Sequence, residues 1–159
     1  MPHVAKLLRV QFPDKPIIIA GDNDLHQELT EGRNPGKEKA EAAATAVGGV
    51  ALFPIFAPGE QAYPIDLDPV TPALAKGDGL SDAQKEAISK MKSFTDFNDL
   101  ATKSVLGWEG VERQITNVVN KIVSDQRERI ETRQHQDNVQ RLELQQRQKL
   151  ASRNAVAII

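Results

Sequence analysis

The sequence predicts an α/β protein in which a mostly parallel sheet is followed by a long C-terminal helix. Ile17–Ala20 is a wholly apolar run between Pro16 and Gly21, which is typical of a strand buried on both faces of a parallel sheet. An alanine-rich helix and a second apolar run come next, so residues 17–53 are predicted to form one β-α-β unit. After Gly110 the chain contains neither Gly nor Pro, which predicts the long helix.

The composition limits the classes of protein to which this chain can belong. Its 159 residues suffice for one ordinary domain, and 40% hydrophobic with 26% charged residues is typical of a globular protein. The absence of cysteine excludes disulfides and thiolate metal sites, and it fits a cytoplasmic location. No apolar run reaches the ~18 residues of a membrane span, so we expect a soluble protein with no membrane partner.

The charge is distributed unevenly along the chain. Residues 1–109 carry 11 Lys and Arg against 16 Asp and Glu, whereas residues 110–159 carry 9 against 6. The acidic part can concentrate cations, and the mildly basic part can lie along a polyanion or pair with an acidic partner. This basic excess is too small to predict nucleic-acid binding by itself.

The N-terminal residues His3–Phe12 are predicted to form a helix. Their apolar side chains recur at helical spacing and should form one buried face; they are Val4, Leu7, Leu8 and Phe12. Pro13 and Asp14 end the helix and lead into the first strand.

A polar loop is predicted over Leu25–Arg33, followed by a second helix. Asn34 is a good N-cap and Pro35 a favoured first helical residue, so the helix should begin there and run to about Val47. Its buried stripe is expected to be Ala40, Ala43, Ala44 and Val47. Gly48 and Gly49 stop the helix, and Val50–Phe53 is the second predicted strand.

Residues 54–80 are rich in Pro, Gly and Asp and are predicted to form a loop insertion in which Asp66 and Asp68 are solvated. Ser81 and Asp82 can open a helix that runs to about Met91. Its inward residues should be Ala83, Ala87, Ile88 and Met91. A further short helix, capped by Thr95 or Asp96, is predicted to reach Leu106 and to be closed by Gly107.

The long helix over residues 110–159 has an apolar stripe that weakens toward its end. The stripe begins with Val111, Ile115, Val118, Ile122 and Val123 and continues as Ile130, Val139, Leu142 and Leu150. Two interpretations remain: a coiled-coil or nucleic-acid-binding arm, and a solvated helical linker to another module.

Asp22 and Asp24 follow the first strand at i, i+2 spacing. Because side chains alternate along an extended chain, both carboxylates should point the same way at the sheet edge where α/β proteins bind ligands. Such a pair suits Mg²⁺, which prefers oxygen ligands. The alternatives are a polar loop without a ligand and a hydrolase of the acid-phosphatase kind with Asp22 as nucleophile. His26 and Gln27 exclude an EF-hand loop, and residues 32–38 lack the spacing of a P-loop.

Three separated segments together resemble one known family. They are IIIAGDND at 17–24, NPGKEKAEAAATAVGG with the strand VALFP at 34–54, and TDFNDLA at 95–101. In order and spacing they resemble the second half of a Toprim domain, of the type found in plasmid conjugation primases, phage primase-helicases and Toprim-bearing relaxase proteins. The resemblance covers residues 1–109 as a partial domain, and the helical tail 110–159 lies outside it.

The resemblance implies a partial Rossmann-like Toprim fold that binds Mg²⁺, or alternatively Mn²⁺, and acts on phosphodiester bonds of nucleic acid. Asp22 and Asp24 would be the metal ligands. Asn34, Gly36 and Lys39 would lie near the nucleic-acid phosphates. The acidic residues Asp96 and Asp99 would support the metal site or order the loop around it.

The chain also departs from the family pattern. The family's domain begins with a strand that ends in a catalytic glutamate, and no glutamate precedes Glu28 here. We therefore expect the C-terminal part of a larger protein, impaired in nucleotidyl transfer by itself, whose partners are the missing N-terminal part and single-stranded DNA. The competing hypothesis is a non-catalytic interaction module that binds a helical partner or forms a homodimer through residues 110–159.

Overall fold

The computed structural model describes residues 2–64, 66 and 79–155. The described residues form six helices and two short strands. In chain order these are α1 (Pro2–Gln11), β1 (Ile18–Ala20), α2 (Leu25–Glu31), α3 (Pro35–Val47), β2 (Val50–Leu52), α4 (Asp82–Met91), α5 (Phe97–Thr102) and α6 (Gly107–Ala155).

The predicted β-α-β unit is confirmed. β1 and β2 pair in parallel with Ile18 opposite Val50 and Ala20 opposite Leu52, and α3 connects them. The described ranges contain only this two-stranded sheet, which is smaller than the predicted one. Burial of β1 on both faces was therefore a wrong prediction, since Ala20 is exposed.

Helix α3 follows its predicted pattern closely. The Asn34 side chain accepts a hydrogen bond from the Lys37 N–H, and Pro35 occupies the first position of the helix. Gly48 ends the helix with a φ of 59°, a backbone conformation that favours glycine. The predicted buried stripe is confirmed; it consists of Ala40, Ala43, Ala44 and Val47.

Helix α1 forms where it was predicted, but its predicted buried face was wrong. Leu7 is 70% exposed, and Val4, Leu8 and Phe12 are exposed as well. The side chain that packs into the core is Ala5, because a methyl group lets α1 approach the small side chains of α3 closely. The Arg9 guanidinium then joins the two helix ends, since its Nε donates to the Val47 carbonyl at 2.9 Å.

The predicted loop Leu25–Arg33 was wrong, because most of it is helix α2. The N–H groups of Gln27 and Glu28 donate to the Asp24 carbonyl and start the first turn. Gly32 closes the helix with a φ of 75°. The segment is polar with few apolar side chains, so its sequence carried no clear helical periodicity.

Part of the predicted insertion 54–80 is packed rather than loose. Pro54 and Phe56 are buried, and the Phe56 ring meets the Phe94 ring edge-on with 5.4 Å between centroids. Asp66 is exposed and accepts a hydrogen bond from the Gln84 amide. Asp68 and its neighbours in 67–78 lie outside the described residues.

The second hydrophobic core lies around Phe56 and Phe94. It also contains Leu100 and Val111, with Phe97, Ala101 and Leu106 packed against it. The Glu60 carboxylate fastens the chain beside this core by accepting hydrogen bonds from the N–H groups of Ala57 and Val105 and from the Ser104 hydroxyl.

Helices α4 and α5 both begin with the predicted type of cap. Ser81 and Gln84 form a capping box at α4, whose buried residues are Ile88 and Met91. The Asp96 carboxylate caps α5 by accepting from the Asp99 N–H. The predicted extension of α5 to Leu106 was wrong, since it ends at Thr102.

Helix α6 is 49 residues long, as the absence of Gly and Pro after Gly110 led us to expect, although it begins at Gly107. The chain divides into two compact units, residues 1–118 and 119–159. In the second unit every described residue from 124 to 152 is exposed. Within the described ranges, no helix combines the length and apolar character that a membrane crossing requires.

Candidate functional site

The candidate site begins where β1 ends. The Gly21 N–H donates to the Leu52 carbonyl at 2.9 Å, so pairing with β2 continues up to the residue before Asp22. A side chain at Gly21 would collide with Ala40 on α3 and with the Phe53 ring. The glycine therefore lets the strand lie directly against α3, which brings the following aspartates to the start of that helix.

The Asp24 carboxylate is held by the first turn of α3. Its Oδ2 accepts a hydrogen bond from the Gly36 N–H at 2.9 Å, a position where the helix dipole favours negative charge. Gly36 fits closely here, because a Cβ on it would lie 2.6 Å from the Asp22 carbonyl oxygen. The Gly36 N–H, which the resemblance assigns to a phosphate, is thus bonded to Asp24 in this structure.

Asn34 connects the aspartate loop to α3. Its Oδ1 accepts the N–H groups of Asp24 at 3.0 Å and Lys37 at 3.1 Å, while its Nδ2 donates to Asn23 Oδ1 and to Glu28 Oε2, each at 3.0 Å. The side chain is buried, with 5% of the residue exposed. Asn34 therefore lies beside the predicted metal ligands, but the solvent has little access to it.

The acidic segment before α5 packs against the same loop. The Asn23 N–H donates to the Thr95 carbonyl at 2.7 Å, which joins the two segments through their backbones. Asp99 is buried, and its carboxylate accepts from the Thr95 N–H and hydroxyl and pairs with Lys103. The Asp99 carboxylate thus holds the segment in shape, and Asp96 both caps α5 and adds its charge to the site.

The electrostatics of Asp22 show that the predicted residues converge. Partial desolvation raises the pKa of the Asp22 carboxyl above its usual 3.8, and repulsion from Asp24, Asp96 and Asp99 raises it further. The Lys39 ammonium acts in the opposite direction. The hydrogen bonds of Asn34 and Gly36 hold Asp24 at this end of β1, and the bond between Asn23 and Thr95 brings the acidic segment before α5 beside it.

The carboxylate oxygens that remain available fit a hard cation. Among the described residues, no hydrogen bond or ion pair engages the Asp22 carboxylate. None of them engages Oδ1 of Asp24 either, because the bond from Gly36 goes to Oδ2. Oxygen donors of this kind suit Mg²⁺, which retains several waters and needs only one or two carboxylates. Across those same residues no three His, Cys, Asp or Glu side chains are grouped closely enough to enclose a metal. Two carboxylates alone do not enclose a cation, so a cation held here would need further ligands such as water.

Sequence reasoning missed two side chains beside the site. Glu28 accepts a hydrogen bond from Asn34, and the buried Nδ1 of His26 has no hydrogen-bond partner among the described residues. Desolvation lowers the pKa of His26, against the attraction of Asp24. Both residues belong to α2, so recognising Gly32 as a helix C-cap was the available signal for placing them.

Two proteins of Escherichia coli, each named DNA primase TraC, are similar to this chain. One is 43% identical over 174 aligned residues, which include 91% of this chain and 16% of the relative. The other is 48% identical over 153 residues, 79% of this chain and 11% of the relative. The chain therefore spans less than a fifth of the length of these relatives. No family model matches the chain, and no solved structure matches it significantly.

Proposed function

We propose that this chain is the metal-binding part of a Toprim-type domain in a primase or relaxase-type protein of a plasmid. In this proposal it binds Mg²⁺ and single-stranded DNA and takes part in phosphodiester chemistry in the cytoplasm. The similarity to two proteins named DNA primase TraC supports a primase-related function. The Toprim resemblance of the segments around Asp22, Asn34 and Asp96 supports the more specific assignment.

The observation that carries the proposal is the convergence of carboxylates at the end of β1. Partial desolvation and the like charges of Asp24, Asp96 and Asp99 disfavour ionised Asp22, whereas the Lys39 ammonium favours it. A bound divalent cation would relieve this repulsion, with Asp22 and the free Oδ1 of Asp24 as its protein ligands. When bound, Mg²⁺ supplies neutralisation of phosphate charge and orientation of the reacting oxygens.

Lys39 is the predicted phosphate-binding residue whose geometry best suits that role. Its side chain is exposed on α3, whereas Asn34 is buried and the Gly36 N–H is bonded to Asp24. An ammonium group beside the carboxylates can contact a nucleic-acid phosphate held by the metal.

We further propose that nucleotidyl transfer needs a glutamate from the segment that precedes this region in the family, so that these 159 residues bind DNA but transfer nucleotides poorly.

The proposal is tested by thermal unfolding in a Mg²⁺ titration. A ligand that binds only the folded state at a hundredfold excess over its Kd stabilises by about 2.7 kcal/mol, so the Tm of the wild-type chain should rise at millimolar Mg²⁺. Asp22→Asn and Asp24→Asn should abolish this rise. Asp14→Asn removes an exposed carboxylate before β1 and should leave the rise intact. A Tm for the wild-type chain that is indifferent to millimolar Mg²⁺ would refute the proposal.

A second candidate function is a helical interaction module. The observation that favours it is the exposure of large apolar side chains on one side of the helix in the unit 119–159, where Val139 is 40%, Leu142 59% and Leu150 60% exposed. Soluble helices ordinarily bury such side chains against a partner. This function does not compete with metal binding for the same residues.

A further inference from the structure

Asn34 is the most highly connected side chain of the candidate site. An asparagine side chain has two acceptor positions and two donor hydrogens, and here two N–H groups bond to its Oδ1 while its Nδ2 makes two bonds. With 5% of the residue exposed, water contributes little to satisfying it. All four hydrogen-bonding positions of the side chain are therefore used by groups of the protein.

Most of these bonds exceed what capping α3 requires. The bond from the Lys37 N–H is the one that caps the helix. The other three reach back to Asn23, Asp24 and Glu28, which lie six to eleven residues earlier in the chain. The side chain thus fixes the loop between β1 and α2 relative to α3.

The connection runs in both directions. Asn34 accepts the Asp24 N–H through its Oδ1, and the Asp24 carboxylate accepts the Gly36 N–H through its Oδ2. These two bonds close a ring between the loop and the first turn of α3. The ring fixes the backbone of Asp24 and one of its carboxylate oxygens, so that the other oxygen, Oδ1, has a defined position.

We propose that Asn34 is a positioning residue for the cation site, which holds the Asp24 carboxylate in place and does not itself contact phosphate. This inference rests on the proposed function, and it gives Asn34 a role different from the phosphate contact implied by the family resemblance. Groups that orient metal-binding side chains commonly contribute 10- to 100-fold to metal affinity. The proposal therefore predicts a loss of affinity that is separate from any loss of stability.

Two substitutions separate positioning from capping. Ser and Thr are also favoured N-cap residues, so Asn34→Ser and Asn34→Thr should preserve the start of α3. Both lack the amide that donates to Asn23 and Glu28 and the Oδ1 that accepts the Asp24 N–H, so both break the connection to the loop. Ser81→Ala is the matched control, because it removes the N-cap of α4 and its capping box while leaving every residue of the site unchanged.

The experiment measures Mn²⁺ affinity from the electron paramagnetic resonance signal of the free ion, at a temperature where circular dichroism shows each variant folded. Asn34→Ser should weaken Mn²⁺ binding about tenfold or more, with Asn34→Thr as a second variant in case one of them fails to fold. Ser81→Ala should lower the Tm and leave the affinity within about twofold of the wild type.

The outcomes distinguish the two proposals. If Asp24→Asn loses Mn²⁺ but the Asn34 variants bind like the wild type, the positioning role is overturned and the proposed function survives. An equal loss of affinity in Ser81→Ala would also overturn the positioning role, because the loss would then reflect stability. If the wild-type chain binds no Mn²⁺, the proposed function and the inference fail together.

Discussion

At the scale of single residues, Asp22 carries an electrostatic cost that Asp99 does not share. Asp99 lies in the same cluster, and although desolvation opposes ionisation, hydrogen bonds from Lys103 and Thr95 lower the pKa of its carboxyl. Asp22 accepts no hydrogen bond from such donors within the described part of the chain, and its pKa is raised. Functional groups often occupy positions that are unfavourable for stability, and Asp22 is the residue here that fits this pattern.

This cost predicts that Asp22→Asn stabilises the metal-free protein at neutral pH. A carboxyl whose pKa is raised by folding contributes stability below its usual 3.8 and loses that contribution as the pH rises through the folded value. The free energy of unfolding of the variant should therefore rise relative to that of the wild type between pH 4 and pH 7. Because Asp22 is exposed, solvent screening limits the gain to about 0.5 kcal/mol.

Urea unfolding in metal-free buffer at pH 4 and pH 7 measures this difference. Asp14→Asn, which also replaces an exposed aspartate, should show no comparable change with pH. If the wild-type chain is more stable to urea than Asp22→Asn at pH 7, the fold stabilises ionised Asp22 and the prediction is wrong.

At the scale of elements, the sequence predicted the parts whose signals are local. Asn34, Pro35 and Gly48 specify the start and end of α3 by their own backbone preferences, and the alanine stripe specifies its buried face. The face of α1 was not predictable in this way. Apolar spacing favoured Leu7, but the contact with α3 selects for small size and buries Ala5.

The candidate site shows the same division between local and tertiary information. The place of Asp22 and Asp24 directly after β1 was predictable from the apolar run that precedes them. The bond between Asp24 and Gly36 was not, because it joins residues twelve positions apart through the packing of β1 on α3. Helix α2, which carries His26 and Glu28, was missed for lack of apolar periodicity.

The packing of α3 against the aspartate loop predicts the sign of one substitution. By helix propensity alone, Gly36→Ala should stabilise α3 by up to about 1 kcal/mol. The new Cβ would instead lie 2.6 Å from the Asp22 carbonyl oxygen and 2.9 Å from Asp24 Oδ2. Backbone cannot yield as a flexible side chain does, so we expect a net loss of about 1–3 kcal/mol and weaker Mg²⁺ binding.

Chemical denaturation with and without Mg²⁺ tests the Gly36 prediction. Lys37→Ala is the control, since it is the neighbouring position on the same helix and its side chain is exposed. A Gly36→Ala variant more stable than the wild type would mean that α3 and the aspartate loop are packed less closely than the structure shows.

At the scale of the whole molecule, two compact units differ in how their apolar residues are covered. Residues 1–118 contain both hydrophobic cores, formed around Ala43 and around Leu100. In residues 119–159, the described part is a helix with most of its large apolar side chains exposed. Helices in proteins are stabilised mainly by packing on other elements. The oligomeric state of this unit should therefore depend on protein concentration.

We therefore expect the 159-residue chain to self-associate through the second unit at micromolar concentrations. Val139 and Leu142 lie three residues apart on one helical face, and both are exposed. The double substitution Val139→Gln/Leu142→Gln keeps helix propensity and removes the apolar contact, so it should shift the sedimentation profile toward monomer.

Leu144→Gln provides the matched control for this experiment. Leu144 is 60% exposed in the same helix, but it lies two residues from Leu142 and so points to the opposite side. If association uses one face, as helix pairing requires, the double variant should be monomeric where Leu144→Gln still associates. Equal effects of the double variant and Leu144→Gln would indicate unspecific apolar contact. A wild-type chain that sediments as a monomer at all concentrations would show that this helix does not self-associate.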